Sequence, residues 1–349
     1  MGTITFNPDD LAATRAGLGL AIGTDVLAPS GSGANLTNLP DLSADIRFLA
    51  LQVASDRIAL ENGIADPFTD ETDVDTGTST NQVFNSSSTY YTSSLAIGSV
   101  EDLSSKTYFG NMTSSGGLAA AFDGTTSQAY TATAAGTTQP GTVGVALGSG
   151  NGFRLGQAKV YAPNNTGYNA SNGIKIYGNS SASTSGGTLL FSGTAGVDYN
   201  NTTNDVSTFA ITGSTSYENY YCELLFSGGT AYLAELQLFS GTPNNMTLVS
   251  NAFTADSAPS SAVIGVQVVE NESITINTDL TAEVSRDGGT TFTACTLALN
   301  TTLGASGTKY YESPSTDISS QPSGTSMKYR VKSLNNKDIE VHGVALKWS

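Results

Sequence analysis

Ala231-Tyr232-Leu233-Ala234-Glu235-Leu236-Gln237-Leu238-Phe239 is the stretch on which the reading of this chain turns. Polar Glu235 and Gln237 alternate with apolar Leu236, Leu238 and Phe239, the two-residue period of a strand with one face in a core. Working outward, further strands are expected at Thr142–Leu147, Arg154–Tyr161, Gly173–Tyr177, Thr188–Phe191, Asp205–Ile211 and Tyr220–Phe226. Gly, Asn and Ser turns separate them at regular intervals, the rhythm of a β-sandwich or jelly roll. Val83-Phe84 and Tyr90-Tyr91 flank Asn85-Ser86-Ser87-Ser88 and predict a hairpin. Gly241-Thr242-Pro243-Asn244-Asn245 reads as a linker. A second β block follows it, with strands expected at Ala262–Val269, Ser273–Ile276, Ala282–Ser285, Phe292–Leu299, Lys328–Lys332 and Ile339–Trp348. That block has the size of one small β-sandwich.

Composition agrees with this class. The chain has 349 residues, 14 Lys+Arg against 30 Asp+Glu, a net charge of −16, and only 13% charged residues. That length calls for more than one domain. The negative balance argues against nucleic acid, which demands a basic face, and against a polybasic membrane anchor. No apolar run approaches the length of a membrane span, so no membrane insertion is expected. MGTITFNPDD lacks a basic segment and an apolar core, so no signal peptide is expected. Cys222 and Cys295 are too few for a disulfide framework or a cysteine-rich zinc site. His342 is the sole histidine and lies in an alternating strand, where packing outweighs catalysis. No nucleophile-elbow motif accompanies it, so no enzyme is expected.

One helix is predicted. After Pro40 and Asp41, apolar residues fall at Leu42, Ile46, Leu49, Val53 and Leu60, a heptad seam of about three repeats. Asp41 caps its start, and Asn62-Gly63 ends it. Such a helix is marginal alone in water, so something covers its stripe. Either it packs on its own chain, or three copies form a short parallel coil with Leu42, Ile46, Leu49, Val53 and Leu60 as a trimer interface. Residues 1–40 precede it as short turns and brief apolar pieces.

Two segments, Ala121-Phe122-Asp123-Gly124-Thr125-Thr126-Ser127 and Ala231–Phe239, together resemble the opening and closing segments of the discoidin-like (coagulation factor 5/8 type C) family of galactose-binding-like jelly rolls. Phe153–Tyr161, Ile174–Gly178 and Tyr220-Tyr221-Cys222-Glu223-Leu224 fit the family's order between them, and the resemblance covers about residues 115–241. Tyr130 stands near where the family usually has Trp, a departure from the pattern. The resemblance implies a structural calcium. Asp123, Thr126 and Glu235 would supply side-chain oxygens, and Ala120 and Ala234 carbonyl oxygens. Read from the residues alone, Asp123-Gly124 is equally an ordinary turn and Glu235 an exposed strand residue. The resemblance also implies a sugar-binding loop, placed here at Asn164, Asn165, Tyr168 and Asn169, where Asn amides pair with hydroxyls and Tyr168 offers a ring.

Ser285-Arg286-Asp287-Gly288-Gly289-Thr290-Thr291-Phe292 matches the Asp-box pattern of sialidase propellers, with Phe in the last place. A single copy reads as a tight hairpin whose Asp caps its own turn. Asp66, Asp70, Glu71, Asp73 and Asp75 crowd a polar stretch and read as a solvated acidic loop. Thr14–Val26, Thr69–Thr76 and Asn277–Gly289 resemble segments of tailed-phage fibre and virion proteins.

The combined expectation is a mainly β protein: a virion attachment segment (1–40), a helical trimerisation neck (41–65), a discoidin-like jelly roll with an N-terminal hairpin (66–242) and a C-terminal β-sandwich (243–349). Its expected role is a homotrimeric phage tail or receptor-binding fibre on the virion exterior. It would join other virion proteins through the N-terminus and adhere to host surface glycans. The alternatives are a purely structural capsid or neck decoration fibre, or a polysaccharide depolymerase.

Overall fold

The computed structural model describes residues 47, 58–60, 62–113, 117–126, 132–135, 140–161, 173–193, 206–213, 215–225, 230–303 and 307–349. The chain divides into 1–49, of which Arg47 alone is described, and 50–349. Leu42, Ile46, Leu49 and Val53 of the expected seam, and Asn164, Asn165, Tyr168 and Asn169 of the expected sugar loop, lie outside the described residues. So does Tyr130.

The described part of 50–349 is mainly β, in two layered modules. In the first, one sheet runs Thr188–Gly193, Gly173–Asn179, Asn219–Leu225, Gly141–Ala146, Thr107–Gly110. The facing sheet runs Val206–Ala210, Phe153–Tyr161, Glu235–Pro243, Leu95–Val100. All these pairings are antiparallel, and sequence-distant strands become neighbours, the jelly-roll arrangement. Alternation builds the core between them: Leu155, Ala158 and Val160 from one sheet meet Ile174, Ile176, Tyr220, Cys222 and Leu224 from the other.

The second module packs a nine-stranded sheet against a five-stranded one. Its clearest strand is Ser326–Ser333, where Met327, Tyr329 and Val331 point inward. Between them, Lys328 and Lys332 reach Asp75 and Glu283 at 2.9 Å each. Cys295 lies in this core and Cys222 in the other, both as free thiols. Among the described residues no helix is long and apolar enough to cross a membrane.

Several expectations are corrected. Leu60 belongs to no helical seam: Ile58–Leu60 is a strand paired with Gly63–Asp66. Asn62-Gly63 closes this hairpin, with Asn62 at φ 53. Asn-Gly terminates helices and turns hairpins by the same positive-φ freedom. Here the free edge of Ile339–Trp348 offers a ladder, which Gly63–Asp66 takes. The hairpin Gln82–Asn85 with Tyr90–Ser93 forms as expected, but Tyr91 pairs with Val341, so it completes the C-terminal sheet rather than the jelly roll. Val74 and Thr80 also bridge to Ser250 and Thr247. The second module therefore draws on residues either side of the first. Gly241–Asn245 is not simply a linker, because Glu235–Pro243 continues as a strand paired with Leu95 and Ala96. Ser273–Ile276 forms only a bridge from Ile276 to Leu280, and the expected strand Phe292–Leu299 breaks into Thr293–Cys295 and Ala298–Leu303.

Candidate functional site

The site grows from the turn that opens the jelly roll. Gly117 at φ +72 leads into the short 3-10 segment Leu118–Phe122, which buries Ala121 and Phe122. Asp123 follows as its C-cap, and Gly124 takes φ +79, a conformation open to glycine. Asp123 Oδ1 accepts from the Thr125 amide at 2.8 Å, closing an Asx turn.

Glu235 arrives from the other end of the module. It begins the strand Glu235–Pro243 opposite Tyr161, and Ala234 before it donates to the Tyr161 carbonyl at 2.9 Å. This register pushes Glu235 under the Asp123-Gly124 turn, where it is 2% exposed. The Gly124 amide donates to Glu235 Oε1 at 2.9 Å. Oε2 is equally buried and has no hydrogen-bond donor. Burial pushes the Glu235 carboxyl up to about 7, opposed by the Gly124 amide, reinforced by the nearby charge of Asp123 and opposed again by the Asp123 amide. A buried carboxylate with an orphaned oxygen is a costly arrangement that invites a cation.

A cavity of about 280 Å³ opens beside this pair. Glu101 and Asp102 line it together with Asp123 and Glu235. Sequence reading missed Glu101 and Asp102. Adjacent acidic residues carry no signal of their own, and only the pairing of Val100 with Phe239, with the Glu101 amide on the Leu238 carbonyl at 2.9 Å, brings them here. The Ser104 hydroxyl and amide hold Asp102 below the usual carboxylate range.

The expected ligand set is thus brought together in part. Asp123 and Glu235 meet; Thr126 and Ala120 are half-buried near the turn, and Ala234 is buried beside Glu235. Among the described residues no three His, Cys, Asp or Glu side chains converge as a metal cluster. A cation here would take the two carboxylates and main-chain or hydroxyl oxygens, the hard-oxygen set that suits calcium. The orphaned Glu235 Oε2 shows that the residues fit such an ion. Glu235 is not the exposed strand residue of the alternative reading.

The other candidates are structural. Asp287 Oδ1 accepts from the Ser285 hydroxyl at 2.7 Å and the Thr291 amide at 2.9 Å, and Oδ2 from the Thr291 hydroxyl at 2.7 Å, so the Asp-box turn is closed on itself. His342 packs on Tyr90 at 5.0 Å between ring centroids and contacts Glu340 at 3.1 Å. In the acidic stretch, Asp70 caps Thr72 and Asp75 pairs with Lys328. Asp66 departs from the solvated-loop expectation: it is 4% exposed, accepts from the Phe68 amide at 3.0 Å and is pushed up to about 7 by burial.

No protein-family model matches the chain, and no curated protein matches it. Among solved structures it is similar to the family 32 carbohydrate-binding module of NanJ from Clostridium perfringens, solved with galactose, at 20% identity over 40% of this chain and 98% of that one, TM-score 0.32. It is similar to a fucose-binding module from Streptococcus pneumoniae, at 14% identity over 40% and 96%, TM-score 0.31. A fucolectin from striped bass serum (Morone saxatilis) matches at 8% identity over 72% and 99%, TM-score 0.34. At these identities and scores the likenesses add no argument about ligand, and the fold rests on the strand order above.

Proposed function

We infer that this chain is an adhesive protein whose discoidin-like jelly roll binds surface glycans and is braced by calcium at the Asp123–Glu235 turn. One observation carries the reading: Glu235 buries a carboxylate oxygen without a donor, beneath the Asp-Gly turn that the family resemblance pairs with it. Calcium, when bound, would supply positive charge to that oxygen and lock the turn. Asp123, Thr126 and Glu235 would hold it through side chains, and Ala120 and Ala234 through carbonyls. Tyr161, opposite Glu235, is the residue from which the Asn164, Asn165, Tyr168 and Asn169 loop departs, so bracing this end would steady the sugar contacts. Those residues offer neutral donors and acceptors, suited to hydroxyls rather than to charge.

The wider role we infer is that of a phage fibre on the virion exterior, trimeric through the Leu42–Val53 seam and joined to the particle by residues 1–40. The short-motif resemblances and the seam spacing support it. Three linked copies would raise the avidity of a weak sugar site by a factor of about 10²–10⁴ without any new contact.

A glycan array probed with the full chain tests the adhesive reading. Binding to neutral surface glycans that falls at least tenfold in chelator is expected. A blank array in calcium would overturn it. Release of reducing ends from a bound polysaccharide would replace adhesion with hydrolysis.

A further inference from the structure

The strand Gly63–Asp66 ends in a turn that carries an acid into the C-terminal sandwich. Asp66 lies opposite Val344 and is 4% exposed. Its Oδ1 accepts from the Phe68 amide at 3.0 Å, across Pro67. That contact holds Phe68 at φ 53, a conformation strained for a bulky side chain. The Phe68 ring is fully buried and meets Tyr91 edge-on, with ring centroids 5.0 Å apart. Beyond it the chain returns to solvent at Asp70, Glu71 and Thr72.

Nothing around Asp66 supplies a counter-charge. Among the described residues no Lys, Arg or His forms an ion pair with it. From the strands packed on it, Asp66 faces the phenols of Tyr91 and of Tyr329, whose hydroxyl donates to Oδ2 at 3.4 Å. From its own loop it faces Asp73 and Asp70, while Glu71 faces Tyr91. Both phenols are pushed up, by burial first, and stay neutral. Burial pushes the Asp66 carboxyl up to about 7, opposed by the Phe68 amide, reinforced by the charge of Asp73, opposed by the Tyr329 hydroxyl and reinforced by Asp70. The Tyr91 hydroxyl is itself buried without a hydrogen-bond partner. The closed turn therefore carries three costs that opening relieves: a dehydrated acid, a strained Phe68 and an unmet phenol. Burial of the Phe68 ring opposes them.

We propose that Asp66–Glu71 is a pH-responsive latch, shut on the sandwich while Asp66 carries its proton and released when Asp66 ionises. A neutral carboxyl tolerates the dry site and keeps the Phe68 turn closed. A carboxylate there is short of water and repelled by Asp70 and Asp73, and lifting the turn hydrates it. The movement is bounded on both sides. Upstream, Gly63, Ile64 and Ala65 stay paired with Lys347, Leu346 and Ala345. Downstream, the Asn251 amide holds the Asp73 carbonyl at 2.8 Å, Val74 bridges to Ser250, and Lys328 holds Asp75 at 2.9 Å. The raised carboxyl favours the shut turn in acid, and that preference is lost as pH rises through about 7. Release uncovers Phe68 and Tyr91 while the strands around them stay folded, a local opening rather than unfolding of the module.

Hydrogen exchange of the full chain, read by mass spectrometry at pH 5.5 and 8.5 and scaled for the intrinsic exchange rate, tests the latch. Protection of residues 67–72 should fall at least about tenfold between the two pH values. At pH 8.5 it should lie at least about a hundredfold below that of Ser326–Ser333, and low urea should leave it unchanged, as a local opening requires. Asp66→Asn keeps the shape of the side chain without its charge and should hold the turn shut at both pH values. Asp70→Asn, at an exposed position, keeps the Thr72 cap through its amide oxygen and removes one repelling charge. It serves where Asp66→Asn fails to fold, and there the fall in protection should move to lower pH. No fall in the parent, protection of 67–72 equal to that of Ser326–Ser333, the same fall in a folded Asp66→Asn, or an unmoved fall in Asp70→Asn would each overturn the proposal.

Discussion

Two Asp-Gly turns in this chain look alike in sequence and behave differently in structure. At Asp287-Gly288 every carboxylate oxygen is taken by Ser285 and Thr291 within the same hairpin. At Asp123-Gly124 the turn reaches across 111 residues to Glu235, and one buried oxygen of that partner goes unmet. A turn that satisfies itself is complete as architecture. A turn that buries a carboxylate and leaves it short is incomplete as architecture, and that is what supports the cation we propose at the second turn.

That contrast breaks first, and by the largest margin, if the turns respond alike to loss of their carboxylates. Asp287→Ala removes three hydrogen bonds from a partly buried turn and should destabilise the chain by about 2–4 kcal/mol in urea unfolding, with or without calcium. Glu235→Gln should do the reverse without calcium. It removes a charge from a buried site while keeping its shape, so at pH 8 it should stabilise the metal-free chain by about 1–3 kcal/mol. Destabilisation by Glu235→Gln in chelator would mean that the carboxylate is already satisfied.

Titration sharpens the same comparison. The folded-state pKa of Glu235 is raised to about 7 and the unfolded one is near 4.5, so the folded chain holds the extra proton between those values. Its contribution is fully present below the unfolded value and lost as pH rises through about 7. Asp66, raised to about 7 in the C-terminal sandwich, carries the same sign. Metal-free stability should therefore fall from pH 5 to pH 8, by about 1–3 kcal/mol for each group. Asp66→Asn and Glu235→Gln together should flatten the slope, and calcium should flatten only the Glu235 part. Asp287, held low by Thr291 and Ser285 against its burial, should contribute nothing in that window.

The smallest effect belongs to the outer face of Ser326–Ser333. Lys332 pairs with Glu283 at 2.9 Å with its side chain 25% exposed, and Arg330 also pairs with Glu283. Lys332→Ala should cost below about 1 kcal/mol and fade in high salt. A larger loss would show that this charge ladder, rather than the inward Met327, Tyr329 and Val331, holds the strand.

Strands with strict alternation were legible from the chain itself. Ile339–Trp348 forms over its expected residues, and the hairpin at 82–93 forms around its polar loop. What alternation does not encode is the partner. Tyr90-Tyr91 has the same pattern whether it closes a jelly roll or edges the neighbouring sheet. Leu60 fits a heptad and a strand equally, and the exposed edge of Ile339–Trp348 decided between them. The site shows the same division. Asp123 and Glu235 were legible through their motif, whereas Glu101 and Asp102 join them only by register, and Asp66 sits in a polar-looking stretch whose burial comes from the core around Tyr329.

Isothermal calorimetry of calcium into the chelator-treated full chain, with Glu235→Gln alongside, tests the central claim most directly. One saturable site per chain in the parent, absent from Glu235→Gln and unchanged in Asp287→Ala if that variant folds, is the expected result. No saturable heat in the parent, or the same isotherm in Glu235→Gln, would contradict it.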